Sequence, residues 1–253
     1  MSRRVILVTG ANGGLGQAIA RAFVSESPQN FVWLGVHRNR QQADTLARQF
    51  VEQCRCTSLD VRDPKAWANA VGEIISEHGR LDVLVNNAGS HKDALLASMT
   101  ADAWHEVVST NLDSVFHGCQ AVLPTMIGQR HGRIINIASR GGLIVGPSLS
   151  AYCVAKATVI RLTEHVDAEA KDAGVRAFGV QPGTILTDMA RDSIADPDAQ
   201  RWVPFLVNDL KAISHQDPEL ELQRLARQVA ALAAGRYDEL AGAYLDLEDG
   251  RVA

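Results

Sequence analysis

Four aliphatic residues, Val5-Ile6-Leu7-Val8, run without interruption into Thr9-Gly10-Ala11-Asn12-Gly13-Gly14-Leu15-Gly16, and a helical stretch follows to about Glu26. The chain therefore opens as a buried strand, a tight turn and a helix, because an unbroken apolar run of strand length is buried on both faces. Four glycines in the turn let backbone approach a bulky anion. The N–H groups at the helix start have no intrahelical acceptor and favour phosphate. Taken alone, the turn is either an anion cradle or a tight strand-to-helix connection with no ligand.

The same alternation continues along the chain. Strands are expected near 4–8, 31–36, 54–59, 81–86, 133–138, 175–181 and 243–247, and helices near 15–26, 40–51, 64–78, 102–127, 149–172 and 218–234. That order predicts an α/β chain, a single-domain, Rossmann-type doubly wound parallel sheet of about seven strands flanked by helices. The stretch 184–218 is the least regular, with Trp202, Pro204, Phe205 and Leu206 among many charges. A long irregular insertion is either a surface excursion or a binding loop, and its position after Pro182-Gly183 favours a substrate lid.

Polar groups at the carboxyl ends of strands mark where such a sheet binds ligands. Leu81-Asp82-Val83-Leu84-Val85 ends in Asn86-Asn87-Ala88-Gly89, whose amides can brace neighbouring backbone. Arg133-Ile134-Ile135-Asn136-Ile137-Ala138 delivers the hydroxyl of Ser139. Ser148 and Ser150 precede the next helix and are expected to cap it. In that helix Tyr152 stands four residues before Lys156, on one face. A free phenol titrates near ~10 and is a poor acid or base at neutral pH, and a nearby ammonium stabilises its phenolate. Surface pairing is the alternative for two residues so spaced. Asn111 falls on an apolar stripe traced by Trp104, Val108, Leu112, Val115, Cys119 and Val122. A buried amide must find partners, so it either caps local backbone or holds a polar network leading toward Lys156.

The turn Thr9-Gly10-x-x-x-Gly14-x-Gly16, Asn86-Asn87-Ala88-Gly89, the upstream Ser139 and Tyr152-x-x-x-Lys156 occur in the order of the short-chain dehydrogenase/reductase family, which the chain resembles from Val5 to about Met189. The glycine spacing differs from the common dinucleotide fingerprint with glycines at first, third and sixth positions. The resemblance implies a catalytic set of Asn111, Ser139, Tyr152 and Lys156. It also implies coenzyme contacts from Gly10, Asn12, Gly13, Gly14, Leu15 and Gly16, from Asp60 and Val61, from Asn87, Ala88 and Gly89, and from Tyr152 and Lys156. Pro182, Gly183, Ile185 and Thr187 would close over the nicotinamide. At the end of the second strand, NAD enzymes place an Asp or Glu on the ribose hydroxyl, whereas this chain has Val36-His37-Arg38. NADP(H) is therefore expected over NAD(H), with His37 and Arg38 meeting a 2′-phosphate.

The run Arg130-His131-Gly132-Arg133-Ile134-Ile135-Asn136 is similar to 3-oxoacyl-thioester reductases and suggests a ketoreductase on a small-molecule or acyl-thioester substrate. Gln129, Asp172-Ala173 and the acidic ending Ala241–Gly250 depart from carrier-protein reductases. An alcohol dehydrogenase acting oxidatively and a nonenzymatic NADP-binding regulator are the alternatives. With net charge −4, the chain lacks the basic surface of a nucleic-acid binder. Its apolar runs are shorter than the ~20 residues a membrane span needs, and the expected location is the cytoplasm. Cys54, Cys56, Cys119 and Cys153 form no Cys-x-x-Cys set, and no metal site is expected. Relatives pair two long central helices, and the apolar excess of Ala151, Val154, Ala155, Val159, Leu162 and Val166 predicts a homo-oligomer, dimer or tetramer.

Overall fold

The computed structural model describes residues 3–183, 185, 188–195, 197–213 and 217–252. Strand β1 (Arg4–Thr9), helix α1 (Gly14–Glu26), β2 (Asn30–Val36), α2 (Gln41–Gln49), β3 (Cys54–Ser58), α3 (Pro64–His78) and β4 (Val83–Asn86) alternate as expected. They are followed by α4 (Ala101–Val108), α5 (Ser114–Gln129), β5 (Gly132–Ile137), α6 (Ser150–Ala170) and β6 (Val175–Gln181). Helices α7 (Asp188–Ala195), α8 (Pro197–Trp202), α9 (Pro204–Ala212) and α10 (Pro218–Ala233) precede β7 (Tyr244–Asp246). The strands pair in parallel in the order β3-β2-β1-β4-β5-β6-β7. Chain order reverses between β1 and β4, so the carboxyl ends of these strands flank the crevice where doubly wound sheets take ligands.

Side-chain alternation along β1 builds two apolar layers. Ile6 and Val8 pack with Ile19 and Phe23 of α1 and Leu225 and Val229 of α10. Val5 and Leu7 pack with Trp67 and Ile74 of α3, Val122 of α5 and Val159 of α6. Each such side chain, fully buried, contributes about 1.5–3 kcal/mol. Helix ends follow local chemistry. Asp63 accepts from the Lys65 N–H at 2.9 Å with Pro64 opening α3, and Asp217 accepts from Glu219 N–H at 3.0 Å with Pro218 opening α10.

Two stretches depart from the expected reading. The helix expected over 102–127 is broken by a π turn, Ser109–Asp113, between α4 and α5. One inserted residue rotates the following face by about 100°. The buried line is therefore Ala103, Val107, Asn111, Val115, Cys119, Val122 and Met126, while Trp104, Val108 and Leu112 are only half-buried. Within 184–218, the expected irregular excursion contains three short helices, α7 to α9, the last two opened by Pro197 and Pro204. Ala199, Val203 and Val207 recur at four-residue intervals and pack on Leu149 and Cys153, a stripe that the surrounding charges hide in the sequence. No helix among the described residues is long and apolar enough to cross a membrane.

Candidate active site

The glycine turn is held open from the β4 side. Thr9 Oγ1 accepts from the N–H groups of Asn87 and Ala88 at 2.9 and 3.0 Å, and the Asn87 side-chain amide donates to Thr9 O at 2.8 Å. Gly10 sits at φ +62°, where a Cβ would lie 2.9 Å from Ala88 Cα, and a Cβ on Gly16 would overlap the Gly10 carbonyl oxygen. Glycine is thus required at both positions. Helix α1 has no side-chain cap and no acidic residue in its first turn. Its first N–H groups remain available, and the residues present fit a pyrophosphate. Asn12 turns elsewhere, accepting from Gln42 and Ala43 N–H at 2.9 and 3.2 Å and so capping α2.

One cleft of about 960 Å³ is lined by every site residue expected from the sequence except Thr187, which lies outside the described residues. At its inner end stands Ser139, which follows β5 and whose Oγ accepts from Gly141 N–H at 3.0 Å. Tyr152, in the first turn of α6, stands beside Ser139: a Cβ built on Gly141 would lie 3.1 Å from the Tyr152 ring and 3.3 Å from Ser139 Oγ. Lys156 is buried and donates to the Ile137 carbonyl at 2.7 Å, its Nζ 5.7 Å from the Tyr152 ring centre. Asn111, in the π turn, donates to Ser90 O at 2.6 Å and Val107 O at 2.8 Å, while its Oδ1 is buried without a partner among the described residues. A Cβ built on Gly89 would stand 2.9 Å from that Oδ1 and 3.9 Å from Lys156 Nζ, so amide oxygen and ammonium approach the same spot. The nitrogen of Asn111 braces backbone, and its oxygen has no partner among the described residues.

Burial governs the titration of both Tyr152 and Lys156. Burial pushes Tyr152 above the ordinary phenol value, with the neighbouring Ser139 hydroxyl pulling the other way. Lys156 is itself pushed down to about 8 by burial while donating to Ile137 O. The expected capping role of Ser148 and Ser150 fails. Helix α6 has no side-chain cap, both hydroxyls are buried without partners among the described residues, and Ser148 takes φ +70°.

At the outer end, Asp60 is held by Arg62 at 2.9 and 2.7 Å and lies 3.4 Å from His37 Nε2. The adjacent guanidinium holds its carboxyl down at about 2. Arg38 is exposed on the cleft lining. Sequence reasoning missed Arg62 and Gln181. Gln181 lines the cleft, accepts from Tyr244 Oη at 3.2 Å and donates to Asp246 at 3.1 Å. The signal was present: a polar residue closing an apolar strand, as with Asn86. Behind the site, Asn86 donates to Asn136 and Asn136 to Thr163, each at 2.9 Å. This buried chain ties β4, β5 and α6 together.

The family described as short chain dehydrogenase matches residues 4–198. The 3-oxoacyl-[acyl-carrier-protein] reductase FabG of Escherichia coli (strain K12) is 32% identical over 250 residues, covering 98% of this chain and 96% of that protein. The protein of the same description from Staphylococcus aureus (strain Mu50) is 36% identical over 197 residues, 75% of this chain and 77% of its own. Among solved structures, that of gox2181 superposes with a TM-score of 0.83 at 26% identity, covering 98% of this chain and 95% of the other. The KRED1-Pglu enzyme, at 24% identity and TM-score 0.85, covers 96% and 100% and shares the fold.

Proposed function

Since the chain belongs to the short chain dehydrogenase family and is an oxidoreductase acting on CH–OH or carbonyl groups, we propose that it is an NADP(H)-dependent ketoreductase of a 3-oxoacyl-type substrate. The substrate class rests on the reductases it is similar to. The mechanism rests on one observation: Ser139, Tyr152, Lys156 and Asn111 converge at one end of a cleft that also contains an uncapped, glycine-rich helix start.

The nicotinamide, when bound, supplies hydride in reduction and takes it in oxidation. Tyr152, kept protonated by burial, donates its phenolic proton to the substrate oxygen as negative charge develops there. Ser139 gives that oxygen a second hydrogen bond, its Oγ lone pair already engaged by Gly141 N–H. Lys156 keeps positive charge beside the phenol and would hold the nicotinamide ribose. The Asn111 Oδ1, lacking a partner, orders the water that returns a proton toward Lys156. Gly10, Gly13, Gly14, Leu15 and Gly16 cradle the pyrophosphate, Asp60 and Val61 border the adenine, and Pro182, Gly183 and Ile185 close the nicotinamide end. With no carboxylate at the end of β2, His37 and Arg38 take the 2′-phosphate.

Helices α8 and α9, anchored on Leu149, and α7 packed against them form the lid of a single cytoplasmic domain. Phe116, Ile127 and Val154 expose large apolar surface on α5 and α6 and pair copies of the chain into a homo-oligomer. Purified protein given NADPH and a panel of 3-oxoacyl thioesters, small ketones and secondary alcohols tests the assignment. Loss of NADPH absorbance with the thioesters is expected. Gain of absorbance only with alcohols and NADP⁺ would favour an oxidative dehydrogenase, and coenzyme binding without turnover of any compound would refute catalysis.

A further inference from the structure

The adenosine end of the cleft carries a charge arrangement that the position of His37 and Arg38 alone does not explain. At this end, Asp60 belongs to the cleft lining and Asp44 of α2 does not. Asp44 is engaged by Arg40, whose Nε lies 3.0 Å from both of its oxygens. Asp60 lines the cleft itself, 3.4 Å from His37, the residue expected to meet the 2′-phosphate. An ionised Asp60 left to itself would hold His37 as its partner and repel a second anion arriving beside it. Arg62 offsets the repulsion, although His37 stays 3.4 Å from Asp60. Its guanidinium grips Asp60 with two parallel hydrogen bonds, Nε to Oδ1 at 2.9 Å and Nη2 to Oδ2 at 2.7 Å, and its backbone N–H adds a third at 3.1 Å. This fork-to-carboxylate geometry is the stronger class of charge-assisted contact. It also keeps Asp60 ionised and its carboxyl at about 2, so the neutralisation persists across the physiological range. Arg38, exposed at the same end, has no ion-pair partner among the described residues. The loop that carries it is fixed by Asn12, which caps α2 through Gln42 and Ala43.

We propose that Arg62 sets coenzyme specificity through Asp60: by offsetting the charge of that carboxylate beside His37 it leaves an uncompensated Arg38 to receive a 2′-phosphate. Arg62 is thus a positioning residue. The inference rests on the NADP(H) reading of the same site and says why a carboxylate lining it does not defeat that reading.

Adenosine 2′,5′-bisphosphate and adenosine 5′-monophosphate differ only in the 2′-phosphate, so the ratio of their affinities for the full chain, measured calorimetrically, isolates this recognition from adenine binding. The parent protein should favour the bisphosphate. Arg62→Ala should cut the ratio about three- to tenfold, the scale of one partly screened charge. Arg62→Lys should keep most of the ratio, and Asp60→Asn added to Arg62→Ala should restore it. An unchanged ratio in Arg62→Ala, with the parent preference intact, would overturn the inference alone. A lowered ratio that Asp60→Asn does not restore would mean that Arg62 meets the phosphate itself and would overturn the route through Asp60. A parent protein with no preference would overturn the NADP(H) reading and the inference with it.

Discussion

Lys156 donates its ammonium proton to the carbonyl oxygen of Ile137 at 2.7 Å, tying the middle of α6 to the last residue of β5. The amine is buried and titrates at about 8 instead of its ordinary 10.5, and burial is the cause. Between those two pH values the unfolded chain binds more protons than the folded one, so this group makes stability rise with pH from about 8 to 10.5. Below that window its whole penalty is present, of the order of 3 kcal/mol. Lys156→Met should therefore raise the stability of the ligand-free protein near pH 7 by about 1–3 kcal/mol, less than the full penalty because Ile137 O loses its donor. Urea unfolding of parent and variant should show the difference shrinking toward pH 10.5. A less stable variant at pH 7 would contradict the assignment of the shift to burial.

Tyr152→Phe should keep the fold and coenzyme binding while lowering turnover about 10²- to 10⁴-fold, the usual worth of positioned acid-base assistance. Steady-state rates alongside a coenzyme titration separate the two effects. Near-normal turnover in a folded, coenzyme-bound variant would remove the phenol from the mechanism.

Gly16→Ala places a methyl group onto the Gly10 carbonyl oxygen. The turn must shift to accommodate it, and coenzyme affinity should fall about tenfold or more, equivalent to at least about 1.4 kcal/mol. Calorimetric titration with NADPH reads this directly. Undiminished affinity would show that the cradle tolerates a wider turn.

Ser148 adopts φ +70° and buries a hydroxyl with no partner among the described residues. Ser148→Gly relieves the left-handed conformation and removes the unsatisfied oxygen, and should stabilise the protein by about 1 kcal/mol. Thermal unfolding tests it, and a lower Tm would mean that the hydroxyl is satisfied in solution.

Most of the site was legible because its marks are local. The glycines of the turn, the amides after β4 and the hydroxyl after β5 are polar or flexible residues ending apolar strands, and a parallel sheet puts all such ends on one edge. The π turn was not legible. Trp104 and Val108 continue the helical stripe as plausibly as Ala103 and Val107, and only packing against the sheet and α6 selects the latter. Arg62 was overlooked because a charge two residues beyond Asp60 has no periodic signature. Its meaning comes from the carboxylate's distance to His37, across two strands.

By itself, the order of residues determined the alternation of strands and helices, the glycine turn and the identities of the groups at the strand ends, since each follows from backbone sterics and from which side chains can be buried. The tertiary structure alone decided the charge state of those groups. Burial lifts Tyr152 and lowers Lys156, and a guanidinium from one loop silences Asp60 beside His37 from another. Desolvation and Coulomb interaction depend on distances through space, and those distances exist only once the sheet has brought separate segments together.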